Sequence, residues 1–362
     1  MSIEERVKAI QARWEAFAPK VQARVDEILA EADPGFDELI ATEALDPAPL
    51  SSALSEFDAR MRGLSKKVDD AWEKIDPDLD GAMDEAEGAQ VQRVAKLRDE
   101  LLRKKMALAG GIERSAREMS VRKSAEGARA LLNLARAEME KAGGGKKCSA
   151  CGAPIKPESL TEPSTVSCSH CKAVNDVHPG PATALFYGGI ALHALAEEAA
   201  LPEEAERLAE EKRFHGLRHA TLSDQKRFED ASLAYWRAYA KTFVALTPGA
   251  KTADQVEKMA QAKVGSLRLD FERDAPFRKV LDQAMACASV ADKAGVERAL
   301  ADDDAQFSLD ELLVGAHEHG DKKAVELLLG MLHRQEASDE PAAKWKAEKL
   351  AELDRDLAGR IR

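Results

Sequence analysis

The residues best placed to do chemistry are cysteines. Four of the five fall in two pairs, Cys148-Ser149-Ala150-Cys151 and, after 16 intervening residues, Cys168-Ser169-His170-Cys171. A CxxC turn lets two thiolates grip one ion, and two such turns at this spacing can close a tetrahedral shell around it. Four thiolates form a soft donor set with no position left for a substrate, which points to a single structural Zn²⁺ held by Cys148, Cys151, Cys168 and Cys171. Iron in a rubredoxin-type site is the rival occupant, since it also takes four thiolates. The short separation between the pairs and the lack of aromatic residues around them favour zinc. Lys146, Lys147 and Lys172 lie close enough in sequence to offset the excess negative charge. Pro154, Pro157 and Pro163 stiffen the loop between the pairs, while Val166, Val174 and Val177 suit short flanking strands.

At CSACGAPI and VSCSHCKAVNDV the stretch resembles the zinc-ribbon family, over about 35 residues or a tenth of the chain. The resemblance implies a small β module with a structural metal. It does not imply a task, because zinc ribbons serve transcription, translation, assembly and other roles. Lys172 departs from the pattern where glycine is common, and a positive φ there would strain its side chain.

Other candidates are weaker. His170 and His178 read as surface histidines beside a complete ligand set, and Cys287, in the run AMACASV, as a buried small hydrophobe. A nucleophilic Cys287 would need a positioned base, and none is visible. Glu211, His215 and His219 recur at i, i+4 and i+8, a spacing that can hold a metal on a helix. Carboxylate-bridged bundle sites use Glu-x-x-His instead, so a polar face is the expectation and a metalloenzyme at His215/His219 the outlying reading. No phosphate loop, nucleophile elbow or HExxH motif stands out, and catalysis is not expected.

Charge supplies a second kind of candidate. The chain carries 53 Lys plus Arg against 65 Asp plus Glu, a formal net charge of −12, but the charge is laid down in blocks. Residues 1–92 sum to −12, 93–147 to +8 and 148–362 to −8. Arg98, Arg103, Lys104, Lys105, Arg114, Arg117, Arg122 and Lys123 could form a stripe for nucleic acid or another anionic partner. The segment has no aromatic side chain for base stacking, so packing against acidic neighbours is the better expectation.

These residues must be positioned by helices. Of 362 residues, 33% are charged and only 5% aromatic, which favours long amphipathic helices and excludes a disulfide scaffold, collagen or full disorder. Ile3, Val7, Ile10, Trp14, Phe17, Val21, Val25 and Ile28 trace a heptad seam with one extra four-residue step. Leu50, Leu54, Phe57, Met61, Leu64, Val68, Trp72 and Ile75 repeat the same steps at an offset of 47. Two matched helices of about 27 residues, or some 40 Å, are predicted, ending near Asp33-Pro34-Gly35 and Asp76-Pro77 to Gly81. Whether they pair within one chain or between chains is open. A third helix should run from about Met83 to Ala142, kinked or turned at Gly110-Gly111 and stopped by Gly143-Gly144-Gly145.

Beyond the ribbon, residues 182–196 predict one apolar buried helix, too short to span a bilayer, broken by Pro202. One or two amphipathic helices should follow to Leu246. Asp292 to Glu297 and Asp321 to Glu326 match at an offset of 29, suggesting helical hairpins. His317-Glu318-His319 reads as a solvated helix end, and 341–362 as an exposed single helix.

The expected fold class is therefore mainly α: a long helical hairpin or coiled-coil half and a second helical half, with a small inserted β zinc ribbon. The expected divisions are 1–81, 82–145, 146–180, 181–250 and 251–362. With no apolar leader at the start and thiols arranged for metal, a cytoplasmic setting is expected. The expected function is a non-enzymatic scaffold or adaptor that binds a protein partner or assembles with itself. A nucleic-acid-associated protein is the alternative.

Overall fold

The computed structural model describes residues 2–143, 146–217, 220–247, 249, 252–303, 305 and 307–336. Among these the fold is mainly α, with eleven helices and two small antiparallel strand pairs inserted after the third helix. The predicted helix at 341–362 lies outside the described residues. None of the described helices is long and apolar enough to cross a membrane. The chain divides into two compact units, one comprising Met1–Leu201 with Lys241–Lys251, the other Pro202–Ala240 with Thr252–Arg362.

The first unit is built on α1 (Ile3–Thr42), α2 (Pro47–Asp84) and α3 (Ala89–Gly143), each packed against the other two. Asp46 caps α2 through the Ala48 N–H, with Pro47 pre-set for the first helical position. All sixteen seam residues enter one apolar core, which α3 completes with Val94, Leu101, Ile112 and Met119. The seams meet antiparallel within the chain: Trp14 stacks edge-on to Trp72 at 6.4 Å, and Phe36 to Phe57 at 5.7 Å.

The helix ends differ from expectation. α1 passes through Asp33-Pro34-Gly35 to Thr42, and α2 passes through Pro77 and Gly81 to Asp84. A proline inside a helix removes one rung and costs about 3 kcal/mol in an isolated helix. α1 also holds Pro19, and both helices bury further apolar residues beyond Pro34 and Pro77: Phe36 in α1 and Leu79 and Ala82 in α2. Each also has a cation from α3 spanning the break. Lys123 binds both Asp33 and Asp37, and Arg98 binds both Asp76 and Asp80 at 2.8 Å. In each case two carboxylates one turn apart, on either side of the proline, are held by one side chain.

α3 likewise continues through Gly110-Gly111 for 55 residues, without the predicted turn. Leu108 and Ile112 pack into the same core on either side of the glycines, and that burial outweighs roughly 1 kcal/mol of helix propensity lost per glycine. The apolar stretch after the ribbon is split, not single. α4 (Pro181–Gly188) ends at Gly188-Gly189, and α5 (Ala191–Gly216) begins after the exposed Ile190. α4 and the start of α5 pack on the last turns of α3, where Ala125, Leu132, Phe186 and Leu195 share a core. α5 then runs through Pro202, which removes one backbone bond but does not break the helix.

In the second unit, α6 (Leu222–Leu246, as far as Ala240), α7 (Ala253–Lys263) and α8 (Gly265–Ser289) precede three shorter helices. These are α9 (Lys293–Leu300), α10 (Leu309–Glu318) and α11 (Lys322–Glu336). The 29-residue match is structural. Asp292 and Asp321 each cap the following helix, accepting from Gly295 and Ala324 at 3.0 Å. Ala291 and Gly320, one residue before, both have positive φ, and Val296 and Val325 both enter the core.

Candidate metal centre

The four-cysteine module, which is compatible with a zinc-ribbon-like site, stands between α3 and α4. Strands β1 (Lys146–Lys147) and β2 (Pro154–Ile155) pair antiparallel around the first CxxC turn, and β3 (Ser164–Ser167) and β4 (Val174–Val177) around the second. Each turn is closed the same way. Gly152 N–H reaches Cys148 O at 2.9 Å while Cys148 N–H reaches Ala153 O at 2.8 Å; Lys172 N–H reaches Cys168 O at 3.0 Å while Cys168 N–H reaches Ala173 O at 2.9 Å. The hairpins are copies 20 residues apart, CSACGA and CSHCKA, a repeat visible in the sequence once the turns are aligned.

All four sulfurs lie within 4.8 Å of one another, and the described residues offer no other such cluster of His, Cys, Asp or Glu. Cys148 and Cys171 Sγ are 3.6 Å apart, Cys151 and Cys168 Sγ 3.7 Å. A tetrahedron with metal–sulfur bonds near 2.3 Å has edges of about 3.8 Å, so the closest pairs already have the spacing of a tetrathiolate site. The residues fit a metal ion of the zinc class.

The backbone prepares the sulfurs for charge. N–H groups of Ala150 and Cys151 point at Cys148 and, opposing its desolvation, hold that thiol down to about 6. Cys171 and His170 N–H groups lower Cys168 in the same way. Cys151 receives one N–H from Ala153 that lowers it, but Cys171, burial and the other sulfurs drive it up to about 12. Four sulfurs this close cannot all ionise alone, and a dication at their centre removes that conflict.

Asn175 is the residue sequence reasoning missed. Buried on β4, it accepts from Ser149 N–H at 2.8 Å and Ser149 hydroxyl at 3.0 Å, and its amide donates to Ala173 O at 3.0 Å and Cys148 Sγ at 3.5 Å. It ties the two hairpins together and orients the Cys148 sulfur. The only sequence signal was a polar residue standing where Ile155 stands in the first hairpin. Lys172 has φ 63° against 74° at Gly152, so the strain expected of a non-glycine residue is present. Lys146 donates to His178 O at 2.7 Å and Lys172 to Ser169 O at 3.3 Å; His170 and His178 are exposed.

Glu138 of α3 fixes where the ribbon rejoins the helices. Its carboxylate accepts the N–H groups of Ala182 and Thr183, at 3.1 and 2.9 Å, capping α4 from another element. A Cβ at Gly180 would meet that carboxylate at 2.2 Å, so any larger residue there would push the Glu138 side chain aside.

The basic stripe is largely engaged with the chain itself. Arg98 pairs with Asp76 and Asp80, Lys104 with Glu100, Lys105 with Asp69, Arg117 with Glu197 and Arg122 with Asp33. Lys123, 4% exposed in its side chain, is enclosed by Asp33, Asp37 and Glu126. Arg103 and Arg114 are exposed and have no ion pair with a described residue. His215 packs against Phe214 and Phe228, and Glu211 pairs with Arg207. α5 ends at Gly216, short of position 219, and His219 lies outside the described residues. Cys287 is partly buried against the α8–α11 core. His317 and His319 do not form a solvated end: His319 bonds the buried Asp224, and Nε2 of His317 is out of solvent.

No family model, curated protein or solved structure matches the chain.

Proposed function

We propose that the chain is a helical scaffold or adaptor, working by contact with a protein partner or with its own copies, and that its zinc ribbon is structural and not catalytic. The observation that carries this reading is where the chemistry-bearing residues are spent. Six of the eight cations in the proposed anionic-partner stripe bind carboxylates of the same chain. The four sulfurs converge on one another, leaving a bound ion no open position. Both features organise structure. Zn²⁺ is the favoured occupant because the donor set is four soft thiolates, and thiolate ligation fits a reducing, cytoplasmic compartment.

The reading is tested by measuring metal content and solution mass on one sample. One zinc per chain is expected, with a chelator unfolding the ribbon and altering thermal stability or assembly state. Chelation that removes the metal and changes neither would overturn the structural role. Salt-titrated binding to single- and double-stranded nucleic acid should show no affinity at low salt; a steep salt dependence would favour the nucleic-acid reading instead.

A further inference from the structure

His319, just past the end of α10, has both ring nitrogens against acceptors. Nδ1 lies 2.7 Å from the Gly315 carbonyl and Nε2 2.8 Å from the Asp224 carboxylate. Neither partner can donate while Asp224 is ionised, and a neutral imidazole has a single N–H. Satisfying both contacts requires the doubly protonated ring. We propose that His319 is held as an imidazolium and serves as a proton-operated latch, fastening the end of α10 to the first turn of α6.

Asp224 is built to stay charged. It is 1% exposed in its side chain and accepts from the Thr221 N–H and hydroxyl at 2.8 and 2.6 Å and from Arg213 and Arg227, each at 2.6 Å. Burial opposes its ionisation, but the bonds from His319, Thr221 and Arg213 outweigh that and hold it below the ordinary carboxylate range. Every neighbouring element contributes charge. From α8, Asp282 accepts the Leu222 N–H at 3.2 Å, and Arg278 donates to Ala220 O. Burial and Asp224 raise the Asp282 carboxyl, while His319 and Arg278 lower it. α10 itself adds Glu318, exposed beside the ring, and His317. At the start of α11, Asp321 is taken up by Ser289 and the Ala324 N–H. Arg213 of α5 and Arg227 of α6 would disfavour a positive ring, but both bind Asp224.

The result is a His319 raised above its ordinary 6.5, first by the Asp224 bond, against burial, and with help from Gly315 and Glu318. A raised histidine contributes fully below its unfolded value and is lost as pH rises through its folded value. Deprotonation leaves one N–H for two acceptors, so α10 must give up either its own carbonyl contact or its hold on α6. The latch involves neither zinc nor the basic stripe, and does not depend on the scaffold reading.

The test is a ring-proton and ring-nitrogen NMR titration of the full zinc-loaded chain from about pH 5 to about pH 9. The His319 signal is identified by its absence in His319→Gln. A midpoint above 6.5 with both nitrogens protonated below it is expected. Hydrogen exchange in α10 and the first turn of α6, corrected for intrinsic rate, should rise several-fold over the upper half of the range, and the rise should vanish in His319→Gln. A midpoint at or below 6.5, or protection that ignores pH, overturns the latch. If the variant does not fold, assignment through backbone connectivity in the wild-type chain decides the same question.

Discussion

Pro34 and Pro77 sit inside two matched helices that continue through them, and α3 bridges each proline with one cation, yet the two bridges differ in depth. Lys123 is 4% exposed and gathers three carboxylates; Arg98 is 32% exposed and gathers two. Burial drags the Lys123 ammonium down, but Asp37, Asp33 and Glu126 overcome it and hold it above the ordinary lysine range. The Asp76 bond leads in raising Arg98 and outweighs its desolvation. The same local problem therefore has a solution that depends on burial and another that water can partly replace. A buried cation left alone is expensive, whereas an exposed pair contributes about 1 kcal/mol or less.

The largest effect should come from removing the partners of the buried cation. Asp33→Asn with Asp37→Asn leaves Lys123 with Glu126 alone, and should destabilise α1 around Pro34 by about 3 kcal/mol. That corresponds to roughly a hundredfold faster hydrogen exchange in peptides covering 26–42, if this part of α1 opens locally. Acid should act in the same direction. The Lys123 bond holds Asp33 below its ordinary 3.8, so its contribution is complete above that pH and is lost as pH falls through the depressed value.

Lys123→Met should cost less, about 1–2 kcal/mol. It removes the charge that needed company, and the carboxylates left behind are 43%, 60% and 34% exposed and can take water instead. If Lys123→Met proved more damaging than the double aspartate variant, the cation would be acting as a splice across Pro34 more than as a buried charge requiring neutralisation. The comparison with Arg98 would then have to be restated in terms of the prolines alone.

The places where sequence reasoning failed are the same places. The heptad seams were legible because burial repeats at helical spacing, and all sixteen residues lie in the core. The convergence of the four cysteines was legible because two CxxC turns at this spacing can bring four sulfurs within reach of one ion. Asp-Pro, by contrast, is a sound local stop signal that was overruled by partners 22 to 90 residues away in sequence, Arg98 and Lys123, and by packing of Phe36 and Leu79 beyond it. The same distance hid His319: nothing next to it suggests Asp224, 95 positions earlier. The basic stripe was visible as composition, but its partners were not, since charge blocks alone do not say which carboxylate faces which lysine.

Arg98→Leu sharpens the comparison at its weaker end. With one carboxylate partner 30% and the other 53% exposed, water can replace much of what Arg98 supplies, and the loss should be about 0.5–1 kcal/mol in the exchange of residues 72–84. Salt distinguishes this splice from the buried one. At about 1 M the screening length falls to roughly 3 Å, so the difference between wild type and Arg98→Leu should shrink toward zero. The penalty of the double aspartate variant at Lys123 should persist, because ions do not reach a side chain that is 4% exposed. Equal salt sensitivity at both sites would mean that Lys123 is hydrated in solution, and that both splices work by surface attraction.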